Sequence, residues 1–391
     1  MHILVLAGVI VLSLLVIAVV AVPRIVPPIV EKFLNKVLTP PARPIREEVR
    51  TLHQRLFVAD LHADPLVWNR NLVKRHDYGH VDIPRLIDGN VALQGFGVVT
   101  KIPWGVNIER NPADSDMVTA LVLAQAWPPR TWGSLLQRAL YEAEKLERFA
   151  AQSQGRLVLV KNVCQLDELL ARRRGEPELV GGFLALEGVH ALEGDLANLD
   201  VLYDAGFRMI CLAHFFDNEA GGSAHGVEKG GLTPFGRELV QQVEERNMVL
   251  DLAHASPQMF DDALQLTTAP VVVSHTGVRA TCDNQRNLSD DQVRQIAATG
   301  GVIGIALFKM AVCGTTVSDT ARAIHYVADL VGVATVAVGS DFDGAVTTPI
   351  DTSGIALLTE ALIDQGFTEE EITKIMGGNV LRVLREVLPK N

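Results

Sequence analysis

Apolar and polar positions repeat in a regular order from about residue 45 to the end of the chain. Short runs rich in β-branched residues alternate with longer stretches whose apolar positions recur every three or four residues, the spacings of strands and amphipathic helices. Eight runs have the composition of buried strands: Phe57–Leu61, Val91–Thr100, Phe183–Leu186, Arg208–Ala213, Met248–Leu252, Pro270–Val273, Gly301–Phe308 and Thr335–Gly339. Eight strands alternating with helices over roughly 340 residues predict an α/β fold, a single (β/α)₈ TIM barrel.

The stretches between the strands carry helix signals of their own. Helical spacing covers Thr233–Arg246, Ser256–Leu266, Ser289–Thr299 and Asp319–Val331. Ser256 precedes a proline and Ser289 precedes an acidic first turn, both typical of helix N-termini. Residues 101–180, between the second and third strands, are mostly helical in pattern, so we predict a helical insertion there.

The N-terminus differs in kind from the rest. Ile3–Val22 is an uncharged apolar run of about 20 residues, the length that spans a bilayer as a helix. Secretory signals have a positive n-region and a shorter apolar core, so residues 1–22 favour a retained transmembrane anchor over a cleaved signal-like segment. Residues 23–44 hold six prolines and predict a stiff tether. The globular domain then covers residues 45–391.

The anchor predicts a single-pass, membrane-anchored protein that contacts lipid through its N-terminal helix. Its orientation stays open at this point. Six basic residues follow the run, namely Arg24, Lys32, Lys36, Arg43, Arg46 and Arg50, and they favour a cytoplasmic domain by the positive-inside rule. A leading hydrophobic segment, however, often exports the chain that follows it.

The charge of the chain bears on its possible partners, and the spacing of its cysteines bears on the state of its thiols. The net charge is −11 and the isoelectric point is near 5.5. Because no cluster of Lys and Arg is present, nucleic acid is not a predicted partner. The four cysteines, Cys164, Cys211, Cys282 and Cys313, are widely spaced, so we predict buried, inert thiols.

The end of the first strand carries the first candidate ligands, within Asp60–Pro65. Side chains alternate along a strand, so His62 and Asp64 point the same way. An imidazole and a carboxylate on one face can grip a divalent cation. A lone His-x-Asp is more often a surface feature, and other strand ends must supply further ligands.

Those strand ends do carry candidate ligands. The third strand runs into Glu187, the fourth into His214, the fifth into His254, the sixth into His275 and the eighth into Asp341. In a TIM barrel the carboxyl ends of the strands form one rim, where catalytic residues collect. Each residue alone has a plainer reading as a core histidine or surface carboxylate, but six strand ends together are hard to explain by packing.

Other polar residues near these ends receive plainer interpretations. A solvated arginine is the usual explanation for a residue such as Arg286 in a loop. Asp343 and His190 are interpreted as hydrogen-bonding partners at the rim. Four histidines without strand-end context are interpreted as surface or loop residues: His76, His80, His225 and His325.

The ligand set predicts a binuclear metal site. His62 and Asp64 would hold one ion and His254 and His275 a second, with Glu187 giving one oxygen to each. Zinc suits this mixture of imidazole and carboxylate, and Mn²⁺ or Fe²⁺ are alternatives. Two ions about 3.5–4 Å apart share a water, lower its pKa and polarise a carbonyl, which is hydrolytic chemistry.

The remaining residues fit roles around that water. Asp341 would take a proton from the water and return it to the leaving amine. His214 would stabilise the tetrahedral oxyanion. Arg286 would pair with a substrate carboxylate through two parallel hydrogen bonds.

The ordered series DLHADP, LEGVH, LAH, LDLAH, VSH with RNLSDDQ, GSDFDG and GGNVLRVL resembles the membrane dipeptidase (renal dipeptidase-like) family of the amidohydrolase superfamily. The resemblance runs from about residue 56 to residue 387. Two departures stand out: Leu61 and Ala63 replace the usual Gly and Asn, and Ala306-Leu307-Phe308 replaces a polar-aromatic run. Neither departure involves a candidate metal ligand.

The resemblance implies two zinc ions held by five ligands, His62, Asp64, Glu187, His254 and His275, with Glu187 bridging. It also implies that His214 polarises the substrate, that Arg286 binds its carboxylate and that Asp341 is the acid/base. The expected activity is hydrolysis of dipeptides, often with tolerance for a C-terminal D-residue. Family members are often homodimers, although no stretch of this sequence shows it.

Two other functions stay open at this point. A related metallohydrolase acting on N-acyl amino acids, lactones or phosphotriesters would use the same rim. A non-catalytic, membrane-anchored metal-binding module would retain the ligands without turnover.

Overall fold

The computed structural model describes residues 21–38 and 44–391. Within them the strands are β1 Lys36–Val37, β2 Val58–Ala63, β3 Val91–Val99, β4 Leu157–Leu159, β5 Val180–Glu187, β6 Phe207–Cys211, β7 Val249–Asp251, β8 Val272–Thr276, β9 Val302–Ile305, β10 Val336–Val338 and β11 Thr347–Thr348.

The helices begin with α1, which covers residues 21–34 of the described chain. The others are α2 Glu47–Arg55, α3 Ile83–Asp88, α4 Met117–Ala124, α5 Leu135–Gln152, α6 Val163–Arg173, α7 Ala197–Asp204, α8 Pro234–Glu245, α9 Pro257–Leu264, α10 Asp290–Ala298, α11 Lys309–Val312, α12 Val317–Val331, α13 Ala356–Asp364, α14 Glu369–Thr373 and α15 Asn379–Val387. Single 3₁₀ turns lie at Pro129–Thr131, Val189–Leu192, Val333–Thr335 and Thr352–Gly354, and a π turn at Lys374–Gly378 joins α14 to α15.

Eight parallel strands close into a barrel. Their order is β3, β2, β10, β9, β8, β7, β6 and β5, and seven residue pairs between β3 and β5 complete the ring. Each of the eight overlaps a strand predicted from the hydrophobic pattern, so the TIM barrel is confirmed. Because all eight run the same way, their carboxyl ends lie on one rim, as the site prediction required.

The predicted helix starts are also present. Ser256 accepts a hydrogen bond from Met259 N ahead of α9, and Ser289 forms a reciprocal capping box with Gln292 at α10. The segment 101–180 contains α4, α5 and α6, as predicted, but it also contains β4, which pairs with the start of β5. The hydrophobic pattern did not predict β4, which pairs only with β5 and lies outside the closed ring.

The stiff tether predicted for residues 23–44 is not what the described part shows. Residues 23–34 lie in α1, and Lys36–Val37 pairs in parallel with Thr347–Thr348. Glu31 is buried against the barrel, where it forms an ion pair with Arg70. These long-range partners outweigh the preference of a proline-rich sequence for an extended chain.

The transmembrane prediction falls mainly on residues 3–20, which lie outside the described residues. Within 21–38 and 44–391, no helix combines the length and the apolar character needed to cross a bilayer.

Three of the four cysteines were predicted wrongly. Cys282 and Cys313 form a disulfide across a Cα–Cα distance of 5.1 Å, and Cys164 is exposed. Cys211 alone is the buried thiol that the sequence predicted. The disulfide joins the loop after β8 to the loop after β9, a contact that 31 residues of separation hid from sequence reasoning.

Candidate active site at the carboxyl ends of the strands

Seven of the predicted residues line one cavity on the rim: Asp64, Glu187, His214, His254, His275, Arg286 and Asp341. We call these seven side chains the polar floor. His62, the eighth, lies directly beneath it, with its Nε2 3.2 Å from Asp64 Oδ1. The barrel therefore brings together every residue that the sequence assigned to the site.

Glu187 lies at the centre of the group. Its Oε2 is 3.7 Å from His62 Nε2, whereas its Oε1 is 3.1 Å from His254 Nε2 and 3.4 Å from His275 Nε2. His214 Nε2 is 3.5 Å from the same Oε1. The carboxylate thus presents one oxygen to the first-strand histidine and the other to three histidines from later strands.

Three overlapping triads of the described residues are close enough to hold cations. They are His62, Glu187 and His275; Glu187, His214 and His254; and His62, Asp64 and Asp341. In each triad the potential ligand atoms lie within 4.8 Å of one another. The grouping differs in detail from the predicted pairs, because His275 lies beside His62, with ring centroids 4.0 Å apart.

The donor atoms fit a bound metal. His62 Nε2 and Asp64 Oδ1 are close but form no hydrogen bond, and His62 Nδ1 is also buried without a hydrogen-bond partner among the described residues. His254 Nε2 and His275 Nε2 face each other at 3.0 Å, and His275 Nδ1 lies 2.9 Å from Ser274 Oγ. Unpaired buried polar atoms are costly, and a neutral imidazole whose Nδ1 is held in place presents its Nε2 lone pair to a metal.

Two glycines keep room around the carboxylates. A Cβ at Gly97 on β3 would collide with Asp64 and His62, and one at Gly344 would collide with Asp341. The rim backbone is also unusual, since His254 and Asp341 both have φ of +60°. Non-glycine residues in this region cost about 1–3 kcal/mol each and cluster at functional sites.

The ionisation of the group suits a cation. Burial raises the pKa of Asp64 to about 6 although His62 opposes it. Burial and the charge of Asp64 raise the pKa of Asp341 well above its usual value. Burial would also raise the pKa of Glu187, but the imidazoles of His214 and His62 bring it well below. Buried carboxylates that repel one another in this way favour a divalent cation between them.

The histidines divide into two electrostatic classes. Burial, with the positive charge of Arg286, lowers the pKa values of His254 and His275, which keeps both rings neutral as metal ligation requires. Burial would lower the pKa of His62 as well, but the carboxylates of Asp64 and Glu187 outweigh it and raise the pKa.

Arg286 is buried at the rim rather than solvated. Its Nη1 donates to His275 O at 3.2 Å, and its guanidinium lies 5.0 Å from the centre of the Phe308 ring. This geometry holds the planar group in place and leaves other N–H groups for a ligand.

Two histidines predicted as surface or loop residues are buried. His225 lines the cavity, and its Nδ1 donates to Ile108 O at 2.7 Å. His80 lies below the rim, where its Nδ1 accepts from Asp343 N at 2.9 Å. Both follow irregular loops with no strand pattern before them, so no local pattern marks their burial.

Asp343 lines the cavity, and its carboxylate also holds parts of the rim together. Its carboxylate accepts from His80 N and Val81 N, at 2.7 and 3.0 Å, and forms a buried ion pair with Arg70. This agrees with its interpretation as a hydrogen-bonding partner. Arg70 also pairs with Glu31, so the same cluster fixes α1.

The cavity above the polar floor has a volume of about 670 Å³. Its upper part is apolar and is formed by α1, the helical insertion and the loop after β9. We call this part the apolar wall, and its main side chains are Val26, Val30, Ile102, Leu121, Phe308 and Met310.

Comparison with known proteins identifies the family of the chain. Residues 46–389 match the sequence model of the family described as membrane dipeptidase (Peptidase family M19). Dipeptidase aclJ of Aspergillus oryzae (strain ATCC 42149 / RIB 40) is 28% identical over 356 residues, which cover 85% of this chain and 78% of that relative.

Solved structures share the fold. A metallopeptidase from Rhodobacter sphaeroides, solved with a phosphinate mimic of the dipeptide L-Ala-D-Ala, is 24% identical, with a TM-score of 0.70 over 85% of this chain and 99% of the other. The probable dipeptidase PvdM from Pseudomonas aeruginosa is 19% identical, with a TM-score of 0.72 over 87% and 98%. Because the family match covers nearly the whole barrel, the chain belongs to the membrane dipeptidase family, a family of metal-dependent dipeptidases.

Proposed function

We propose that this chain hydrolyses dipeptides with a water activated by two zinc ions. The observation that carries the proposal is the position of Glu187, whose Oε2 faces His62 while its Oε1 faces His254 and His275. A carboxylate with one oxygen toward each of two imidazole groups is the arrangement that a bridging ligand needs.

The chain's own residues would divide the work as follows. His62, Asp64, Glu187, His254 and His275 would hold the ions, which supply a water of lowered pKa and a polarised carbonyl. Asp341 would accept the proton of the attacking water and pass it to the leaving amine. A carboxyl whose pKa is raised by burial is suited to carry a proton in both directions.

His214 and Arg286 would hold the substrate. His214 lies beside Glu187 and His254, and its Nε2 would donate to the oxyanion that develops on the scissile carbonyl. Arg286 would pair with the free carboxylate of the C-terminal residue, and its contact with Phe308 would fix the plane of the guanidinium.

The metal content of the purified protein tests the proposal that the site holds two ions. Protein purified without chelator should contain close to two divalent ions per chain by elemental analysis, with zinc restoring activity after chelation. Full activity with a single ion would contradict the bridging role of Glu187. Restoration by Mn²⁺ or Fe²⁺ but not Zn²⁺ would contradict the choice of metal.

A substrate panel tests the reaction. L-L and L-D dipeptides should be hydrolysed, while N-acyl amino acids, lactones and phosphotriesters should not be. The L-D series is included because the Rhodobacter sphaeroides relative was solved with a mimic of L-Ala-D-Ala. Two bound ions without turnover on any member of the panel would instead favour a binding module.

We also propose that the barrel lies on the extracytoplasmic side of a membrane, held by the apolar run at residues 3–22. Disulfides persist in oxidising compartments and are rare in the cytosol, so the Cys282–Cys313 bond supports this side against the basic residues that follow the run. Ile25, Ile29 and Phe33 form an exposed apolar stripe on α1, which would lie against lipid.

The exposed thiol of Cys164 tests the orientation. A membrane-impermeant maleimide should label the full chain in intact cells of the expressing host, and Cys164→Ser should abolish that labelling. Labelling that appears only after the cells are permeabilised would place the barrel in the cytoplasm.

A further inference from the structure

The apolar wall is larger than the chemistry of the site requires. The polar floor supplies all the groups that a peptide bond and a free carboxylate need, yet the cavity of about 670 Å³ extends beyond it. That volume lies within the ~300–1,000 Å³ typical of pockets for drug-sized ligands. A dipeptide of two small residues would leave most of this wall in contact with water.

The wall is built from three separate parts of the chain. Val26 and Val30 come from α1, Ile102 and Leu121 from the insertion before β4, and Phe308 and Met310 from the segment after β9 that forms the start of α11. Apolar residues from three segments meet around one space instead of filling it. Val26 is 40% exposed and Met310 is 48% exposed, so much of their apolar surface is not covered by other parts of the protein.

α1 is held firmly in this position. Glu31, the residue directly after Val30, is buried and paired with Arg70. Beyond the helix, β1 pairs with β11, and Leu38 N donates to Thr348 O at 2.9 Å. α1 is held at two points, by the buried Glu31 and by the strand β1 that follows the helix. It therefore forms a permanent wall of the cavity. Its apolar side chains are therefore available to a ligand whenever the site is open.

We infer that the site selects dipeptides carrying one large apolar side chain, which lies against the apolar wall while the peptide bond lies on the polar floor. This inference rests on the proposed dipeptidase activity. An apolar ligand that covers exposed apolar surface inside a cavity gains binding free energy in proportion to the area removed from water. The preference should therefore grow with the length of the side chain.

A homologous substrate series tests the inference. The X-L-Ala and L-Ala-X dipeptides, with X running from alanine through norvaline and norleucine to 2-aminooctanoic acid, would be compared by kcat/KM. In one of the two series kcat/KM should rise up to about fourfold per added methylene, the factor expected for full burial. Flat or falling values in both series, with Ala-Ala hydrolysed, would overturn the inference. No hydrolysis of any dipeptide would instead overturn the proposed function.

A pair of substitutions on α1 assigns the effect to the wall. Val30→Asp places a charge in the wall and should lower the 2-aminooctanoyl-to-alanyl ratio of kcat/KM by about tenfold or more. Ile29→Asp is the matched control, since Ile29 lies on the same helix, is 63% exposed and does not line the cavity. It should keep the wild-type ratio.

Equal changes in the ratio for both variants, or no change for Val30→Asp, would overturn the assignment. If Val30→Asp fails to fold, Val30→Thr gives the same comparison with a smaller change of shape. Its ratio should fall in the same direction, and an unchanged ratio would count against the wall.

Discussion

The polar floor and the apolar wall share one cavity but are built in different ways. Six of the seven floor residues lie at or just beyond the ends of barrel strands, where the parallel register fixes their positions, and Arg286 lies in the loop after β8. The wall comes from α1, the insertion and a loop, which are additions to the barrel. Under the proposed function, the floor would carry the reaction and the wall the choice of substrate.

The electrostatics of the two regions differ in the same way. The floor concentrates buried carboxylates and imidazoles within a few ångströms, for example Glu187 Oε1 and His254 Nε2 at 3.1 Å. The six main side chains of the wall are uncharged. Changes in the floor should therefore act on metal binding and turnover, and changes in the wall on the choice of substrate.

The largest effect is expected at Glu187. Glu187→Gln removes the charge shared between the two proposed ions, so metal content should fall below two per chain. Turnover should fall on the order of 10⁴-fold or more, because the water loses the lowered pKa that the ions give it. Elemental analysis and kcat on the best dipeptide measure both effects.

Glu245→Gln is a suitable control, because Glu245 is exposed on α8 and lies outside the cavity. That variant should keep both ions and full activity. Wild-type turnover in Glu187→Gln would remove Glu187 from the centre of the floor and would erase the contrast with the wall.

Asp341 should give the next largest effect and should separate proton transfer from metal binding. Asp341→Asn should lower kcat by about 10²–10⁴-fold, the range for loss of a general acid/base. The metal content should stay near two ions per chain, because the five proposed ligands remain. A variant with both ions and unchanged kcat would exclude Asp341 from the mechanism.

Arg286 lies where the floor meets the wall, against Phe308, and its effect should fall mainly on KM. Arg286→Ala removes charge-assisted hydrogen bonds worth about 1.5–3 kcal/mol, so KM for dipeptides with a free C-terminus should rise about 10- to 10²-fold. The same substitution should change KM little for dipeptide amides, which lack the carboxylate. An equal rise for acids and amides would argue against carboxylate pairing.

The floor was predictable from sequence because most of its residues lie at the ends of strands. His62, Glu187, His254 and His275 each lie at or just beyond the end of an apolar run, and parallel strands in a barrel place those ends on one rim. The positions did not depend on loop conformation. The resemblance to a known family then gave each residue a role, and the geometry brings all of them together.

The wall was not predictable for the opposite reason. β1 pairs Lys36 with Thr347, a contact between residues far apart in sequence that no local pattern marks. The prolines before it favoured an extended tether, but the buried Glu31–Arg70 pair and the strand pairing outweigh that preference. His225 was missed because it follows an irregular loop and is buried by tertiary contacts alone.

The smallest effect is expected from the disulfide, which ties the floor to the wall. Cys282 lies in the loop that carries Arg286, and Cys313 follows Met310 in the loop after β9. Replacing both cysteines by serine should lower the free energy of unfolding by about 4 kcal/mol, the value expected for closing a loop of this length. Urea unfolding, followed by circular dichroism, measures the change.

The effect of this double substitution on activity should be limited to a rise of a few-fold in KM. Asn287 Nδ2 donates to both Cys282 O and Ala311 O, at 2.7 and 2.8 Å, so the two loops stay connected without the bond. Cys164→Ser is the control and should change neither stability nor KM, because this cysteine forms no disulfide. If the double substitution also abolished the preference for apolar substrates, the wall would depend on the disulfide rather than on α1, and the separation of the two regions would fail.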